Sequence, residues 1–281
     1  MQLLLRKKWV DSNQQDERRH TPLSWAARNG QATQVRILLT HKGVDPNSRT
    51  LEGWTPLSLS ARLGHQAVVE ELLSRQDVDA NAADMWNCSP LEYAAGSGHL
   101  RIVKLLLQKG ANPAAIDMRG WTPISRAAQE GHEDFVSALL ECDKMTADLA
   151  DFEYRTPLSH AAEEGYESIV QLLLSLNSVN ADSKDFEGRT PLAWAARGGC
   201  EGVVKMLLER DDVEVDGKCN QNWTPLSRAC QEGYESIVRL LLSRGGVDVN
   251  SRDHDGWTPL MHATEQGHKR VIRILLGETN P

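Results

Sequence analysis

The stretch TPLSHAAEEGYESIVQLLL, residues 156–174, decides the fold. Thr156 supplies a hydroxyl N-cap, and Pro157 takes the first helical position, where its missing N–H costs nothing. Ala161 and Ala162 leave room for close helix packing. Gly165 follows nine residues after the Thr, where a helix end needs a left-handed residue. Ile169, Val170, Leu173 and Leu174 then fall on one face of a second helix.

The same unit recurs from end to end. Anchors stand at Thr21, Thr55, Ser89, Thr122, Thr156, Thr190, Thr224 and Thr258, at intervals of 34, 34, 33, 34, 34, 34 and 34 residues. A period this strict is the signature of a repeat solenoid. Gly30, Gly64, Gly98, Gly131, Gly165, Gly199, Gly233 and Gly267 end the first helix of each unit. Asp or Asn marks the turn after the second helix, as in Asp45 and Asn47, Asp79 and Asn81, or Asp248 and Asn250, where a short side-chain oxygen can bond the backbone two residues on. Two residues before the anchor, Gly53, Asn87, Gly120, Gly188, Asn222 and Gly256 mark a hairpin tip.

The chain has 281 residues, and eight times 34 is 272, so 281 − 272 leaves nine over. Net charge −8 without a basic block argues against nucleic-acid binding, which needs Lys and Arg to neutralise phosphates. No apolar run approaches a membrane span, and the first ten residues lack a secretory core. Five cysteines without C-x-x-C spacing read as reduced thiols. The expected setting is therefore intracellular, cytoplasmic or nuclear.

The unit D-x-x-G-x-T-P-L-x-x-A-A-x-x-G-H…V-V-x-L-L-L…D-x-N resembles the ankyrin repeat over essentially the whole chain. That resemblance implies an all-α solenoid in which each repeat is a helix–turn–helix plus a hairpin or loop. Repeats are placed at 16–49, 50–83, 84–116, 117–150, 151–184, 185–218, 219–252 and 253–281, behind a truncated half-repeat at 1–15. Leu3, Leu4 and Leu5 match the second helix of that half-repeat, and the expectation is a fragment or truncated relative of a longer array. The style is similar to ankyrin arrays of filamentous fungi. Two departures stand out. The His that usually follows Thr by three residues is Ser24, Ser58, Ser125, Ser159 and Ser227, or Glu92, Ala193 and Met261. Most units also exceed the family's period of 33 by one residue.

The resemblance implies a non-enzymatic protein-interaction module that binds through hairpin tips and the exposed face of the first helix. The alternative is the sensor array of a larger multidomain protein, such as a nucleotide-switch immune receptor, whose effector domain lies outside this chain. The expected contact residues are Leu51, Trp54, Met85, Trp86, Met118, Trp121, Phe152, Phe186, Trp223 and Trp257 at the tips. On the first helices they are Trp25, Tyr93, Arg126, Glu163, Glu164, Trp194, Arg228 and Glu232. A row of aromatic residues and Met is what interface centres use. The competing reading is a ladder of like positions, with Trp121 on Arg155 and Arg189 on Trp223 as cation–π pairs. Glu163, Glu164 and Glu232 suggest a basic segment on the partner.

No phosphate loop, H-E-x-x-H or G-x-S-x-G occurs, so the expectation is no catalysis, no cofactor and no metal. His65, His99, His132 and His268 share one repeat position and are expected to bond backbone. The protein partner is unnamed by the sequence, and the expected state is a monomer that binds neither nucleic acid nor membrane.

Overall fold

A computed structural model describes residues 11–141 and 147–278. Leu3, Leu4, Leu5, Trp9 and Cys142 lie outside them, and with them most of the leading half-repeat. The chain divides into two compact units, Met1–Met145 and Thr146–Pro281. Each is an all-α solenoid, with four helix pairs among its described residues. The first unit holds α1 (Pro22–Arg28) and α2 (Ala32–Leu39), α3 (Pro56–Arg62) and α4 (Gln66–Leu73), α5 (Pro90–Gly96) and α6 (Leu100–Gln108), and α7 (Pro123–Gln129) and α8 (Glu133–Leu140). The second holds α9 (Pro157–Glu164) and α10 (Glu167–Leu174), α11 (Pro191–Gly198) and α12 (Glu201–Leu208), α13 (Pro225–Glu232) and α14 (Glu235–Arg244), and α15 (Pro259–Glu265) and α16 (Lys269–Leu275). Within a unit, first helices pack on first helices and second on second. None of the described helices is long and apolar enough to cross a membrane.

Every first helix begins as its sequence dictates. The anchor hydroxyl accepts from the backbone N–H three residues on, as Thr21 does from Ser24 at 3.2 Å and Thr156 from Ser159 at 3.3 Å. Such a cap is worth about 1 kcal/mol. The Ser that stands in place of His is not idle. Ser24 and Ser58 reach back to the anchor N–H at 2.8 Å, closing reciprocal capping boxes like that of Ser89 with Glu92. At these anchors a Ser capping box stands where the family has its Thr–His contact.

The second helices bury Leu38, Leu72, Leu106, Leu139, Leu173, Leu207 and Leu241 almost completely. Each fully buried Leu contributes roughly 1.5–3 kcal/mol. The turn glycines have a second reason to be Gly. A Cβ on Gly64 would lie 2.6 Å from the His99 ring, and one on Gly233 2.5 Å from His268. Those rings reach back to a carbonyl of the preceding repeat: His65 Nε2 to Arg28 O at 2.9 Å, His99 Nε2 to Arg62 O at 3.2 Å and His268 Nε2 to Gln231 O at 2.9 Å. The tips form bonded turns, with Thr50 N donating to Trp54 O at 3.0 Å, but neighbouring tips share single bonds such as Leu51 N to Arg18 O. One rung is too little for a strand, and none occurs among the described residues.

Candidate functional site

The tip and the first helix are joined by an aspartate five residues before the anchor. Asp16, Asp84, Asp117, Asp151, Asp185 and Asp253 each use Oδ1 to accept the backbone N–H two and four residues on, as Asp151 does from Glu153 and Arg155 at 2.9 Å. Their Oδ2 atoms take a donor nine residues on, at the helix position four after the anchor. Those donors are Trp25 at 2.9 Å, Arg126 at 2.9 Å, His160 at 3.0 Å, Trp194 at 3.1 Å and His262 at 2.8 Å, with the Tyr93 hydroxyl on Asp84. Burial works to raise the Asp151 carboxyl. The bonds from His160 and the backbone outweigh it and hold Asp151 below the usual carboxylate range. Burial keeps His160 below the usual imidazole range.

Sequence reading took these helix positions as partner contacts and missed the pairing. The signal was nevertheless present: Asp at one position and a hydrogen-bond donor nine residues later, in six of eight units. The two exceptions are Thr50 with Leu59, and Cys219 with Arg228.

The tryptophans follow the same logic. Trp194, expected on an accessible face, is only 4% exposed. Its ring lies between Arg155 and Arg189, each 4.1 Å from the centroid. Arg189 thus lies over Trp194, whereas Trp223 takes Arg228 at 3.9 Å. Trp121 takes Arg126 at 4.7 Å, and Trp54 takes Arg62 at 4.7 Å. Trp54, Trp121 and Trp223 each pair with an Arg of their own first helix, because that helix rises directly beside the tip. Trp54 also donates Nε1 to Asp84 Oδ2 at 2.8 Å, tying its repeat to the next. Trp25 and Trp257 keep more exposure, with Arg28 5.3 Å over Trp25 and His262 5.3 Å from Trp257.

The residues four before the anchor are the accessible ones. Leu51, Met85 and Met118 are 59%, 59% and 64% exposed in the first unit, with Trp86 beside them. Phe152 and Phe186 are 64% and 72% exposed in the second. Consecutive tips are bonded, Met85 N to Glu52 O at 3.0 Å and Phe186 N to Glu153 O at 2.8 Å, so these side chains stand in rows. Of the three glutamates expected to meet a basic segment, Glu163 is held by Arg155 at 2.6 Å. Glu164 and Glu232 are exposed.

Among the described residues, Cys88, Glu92 and Asp117 bring potential metal ligands within 4.8 Å of one another. All three are engaged. Asp117 holds Arg126, Glu92 accepts from Ser89 N at 2.6 Å, and Cys88 Sγ approaches Trp86 O at 3.9 Å. Burial pushes the Cys88 thiol up to about 12 and Glu92 up to about 7. A guanidinium in the cluster and a reluctant thiol fit a packed polar junction better than a cation site. Cys230 is fully buried, and burial pushes its thiol up to about 12, as a core packing role requires.

The family model described as ankyrin repeats (3 copies) matches residues 1–84, 76–151, 144–219 and 213–281. A search of curated proteins finds no match. The crystal structure of the human ASB11 ankyrin repeat domain is similar, with TM-score 0.69 and 28% identity over 81% of this chain and 99% of that one. Strict period, capped helix pairs, glycine turns and a family match over the full length lead to one conclusion: the chain belongs to the ankyrin repeat family.

Proposed function

We propose that this chain is a non-enzymatic recognition module that holds a protein partner on its hairpin tips and first-helix faces. Ankyrin repeats are typically protein-interaction folds. The observation that carries the reading is a row of apolar tip residues in each unit: Leu51, Met85 and Met118 in one, Phe152 and Phe186 in the other. These side chains are exposed, uncharged and held in line by the bonds between tips. Large apolar groups on a preorganised scaffold lose little entropy on binding. The half-buried Trp54, Trp121 and Trp223 brace the tips beneath them, while Trp86, Trp25 and Trp257 extend the apolar rows. Glu164 and Glu232 add exposed charge in the second unit. The module acts as a monomer, and its mildly acidic surface suits a protein better than a nucleic acid.

Affinity capture tests this with the wild type beside a variant carrying Leu51→Ser, Met85→Ser, Met118→Ser, Phe152→Ser and Phe186→Ser. All five side chains are exposed, so the unfolding temperature stays close to wild type. A partner retained by the wild type and lost by the variant is the expected result. A partner held equally by both removes the tips from the reading.

A further inference from the structure

Arg228 breaks the pairing that the other repeats keep. In six repeats a tip aspartate accepts from the helix donor nine residues on, and Arg126 on Asp117 is the arginine version at 2.9 Å. Where the tip residue is Thr50, the helix residue is the buried, apolar Leu59, which needs no partner. At the seventh anchor the tip residue is Cys219, yet the helix still offers an arginine. Arg228 therefore has the guanidinium of Arg126 without its carboxylate.

The surroundings make that absence consequential. Arg228 lies over the Trp223 ring at 3.9 Å, and its Nη1 makes a long hydrogen bond to Gln231 Oε1 at 3.4 Å. It is half-buried, and burial, with the charges of Arg197 and Arg189 behind it, pushes it below the usual guanidinium range, against the opposing pull of Cys219 and, more weakly, Glu232. Arg189 is already bound to Asp185 at 2.8 Å and Glu187 at 2.7 Å. Arg155 is bound to Glu163 at 2.6 Å. Arg197 is exposed on α11 and, among the described residues, has no carboxylate at bridging distance. The tip beside Arg228 is also different in kind: Asn220 and Gln221 stand where Phe186 and Glu187 stand one repeat earlier.

We propose that Arg228, flanked by Arg197 and stacked on Trp223, is a docking point for a carboxylate side chain on an acidic segment of a protein partner. The incoming carboxylate supplies to the guanidinium the charge that the tip aspartate supplies in the other repeats. A planar guanidinium stacked on one face keeps its edge available for two parallel N–H···O bonds. The charge is complementary, since two cations share this patch of a chain whose net charge is −8. The inference rests on the recognition-module reading but names a different surface from the tip row.

The test is fluorescence anisotropy with a fluorescein-labelled hexaglutamate peptide at low salt, with a Gly-Ser peptide as control. The 281-residue chain is expected to bind the acidic peptide and not the control. Arg228→Gln should weaken binding about tenfold or more. Cys219→Asp should weaken it similarly, because it restores the internal carboxylate, and it should leave the fold intact as Asp does in six sister repeats. Glu232→Gln should tighten binding, and Arg62→Gln in the first unit should leave it unchanged. Wild-type affinity in Cys219→Asp overturns the proposal, as does equal binding of the control peptide. Displacement of the peptide by equimolar inorganic phosphate also overturns it, since the site would then read a free anion. If Arg228→Gln lowers the unfolding temperature, Cys219→Asp decides. The capture experiment turns on the tip residues and this one on Arg228, so either can fail alone.

Discussion

The two units solve the same joint with different atoms. In the first, Asn13, Asn47 and Asn81 each clamp the following repeat twice. Oδ1 accepts from the backbone N–H of Asp45, Asp79 and Asn112 at 2.9, 2.9 and 2.7 Å. Nδ2 donates to the carbonyl of Gly43, Asp77 and Gly110 at 2.6, 2.7 and 3.2 Å. In the second unit, Asp148, Asp182 and Asp216 occupy that place. Asp148 still accepts from Asn180 N at 3.1 Å and Asp216 from Asp248 N at 3.3 Å, and Asp182 accepts from the Glu214 backbone. Their Oδ1 atoms are buried without a donor among the described residues. An ionised carboxylate can only accept, so half of the clamp is lost, and burial raises all three carboxyls above the usual range. The second unit therefore carries a built-in weakness at neutral pH that the first lacks.

The strongest way to break this comparison is to move the defect. Asn47→Asp should cost the first unit about 1 kcal/mol at pH 7, the worth of a lost hydrogen bond, and Asn81→Asp, at an exposed position, somewhat less. Urea unfolding measures the total, and hydrogen exchange locates the loss in the first unit. Wild-type stability in both variants would show that the Nδ2 bonds contribute nothing. The reverse change, Asp148→Asn with Asp182→Asn and Asp216→Asn, should stabilise the second unit by about 1 kcal/mol per site.

A pH series sharpens the same point. A carboxyl whose folded value is raised contributes stability while neutral, below its unfolded value, and loses it as pH rises through the folded value. The advantage of the triple Asn variant should therefore be largest near pH 7 and shrink as pH falls into the range of the raised carboxyls. Asp151 has the opposite sign. Its folded value is lowered, so its contribution is present above the usual Asp range and is lost as pH falls through the folded value, in both proteins alike. A constant advantage from pH 4 to 7 would contradict the assignment.

The smallest expected effect belongs to the first unit, where Glu92 is the raised carboxyl, up to about 7 by burial. Its contribution is present below the usual Glu range and is lost as pH rises through about 7. Glu92→Gln should remove that decline, worth about 1 kcal/mol between pH 6 and 8, as read from unfolding midpoints.

Much of this was legible in the chain itself. Thr-Pro-Leu anchors, turn glycines and paired Leu positions give the helix pairs, because capping, positive φ and 3.6-residue periodicity are local rules. The Asx turns of Asp45 and Asp79, whose side chains accept from the backbone N–H of Asn47 and Asn81, were equally readable, since their bonds span two residues. Trp194 was not. Its burial depends on Arg155 and Arg189 closing over both faces of the ring, and Arg155 belongs to the preceding repeat. Nor was the ownership of the arginines, which was expected to run between like positions, whereas Trp54, Trp121 and Trp223 each take an Arg of their own helix.

The sequence by itself determined the repeat, its period, its caps and its membership of a binding family. The tertiary structure alone decided which tip residues remain accessible, which carboxylates already have partners, and that Arg228 lacks the aspartate that satisfies Arg126. The reason is physical. Local rules act through bonds closed within a few residues, whereas accessibility and charge compensation are set by side chains brought together from different elements, whose distances only the folded chain fixes.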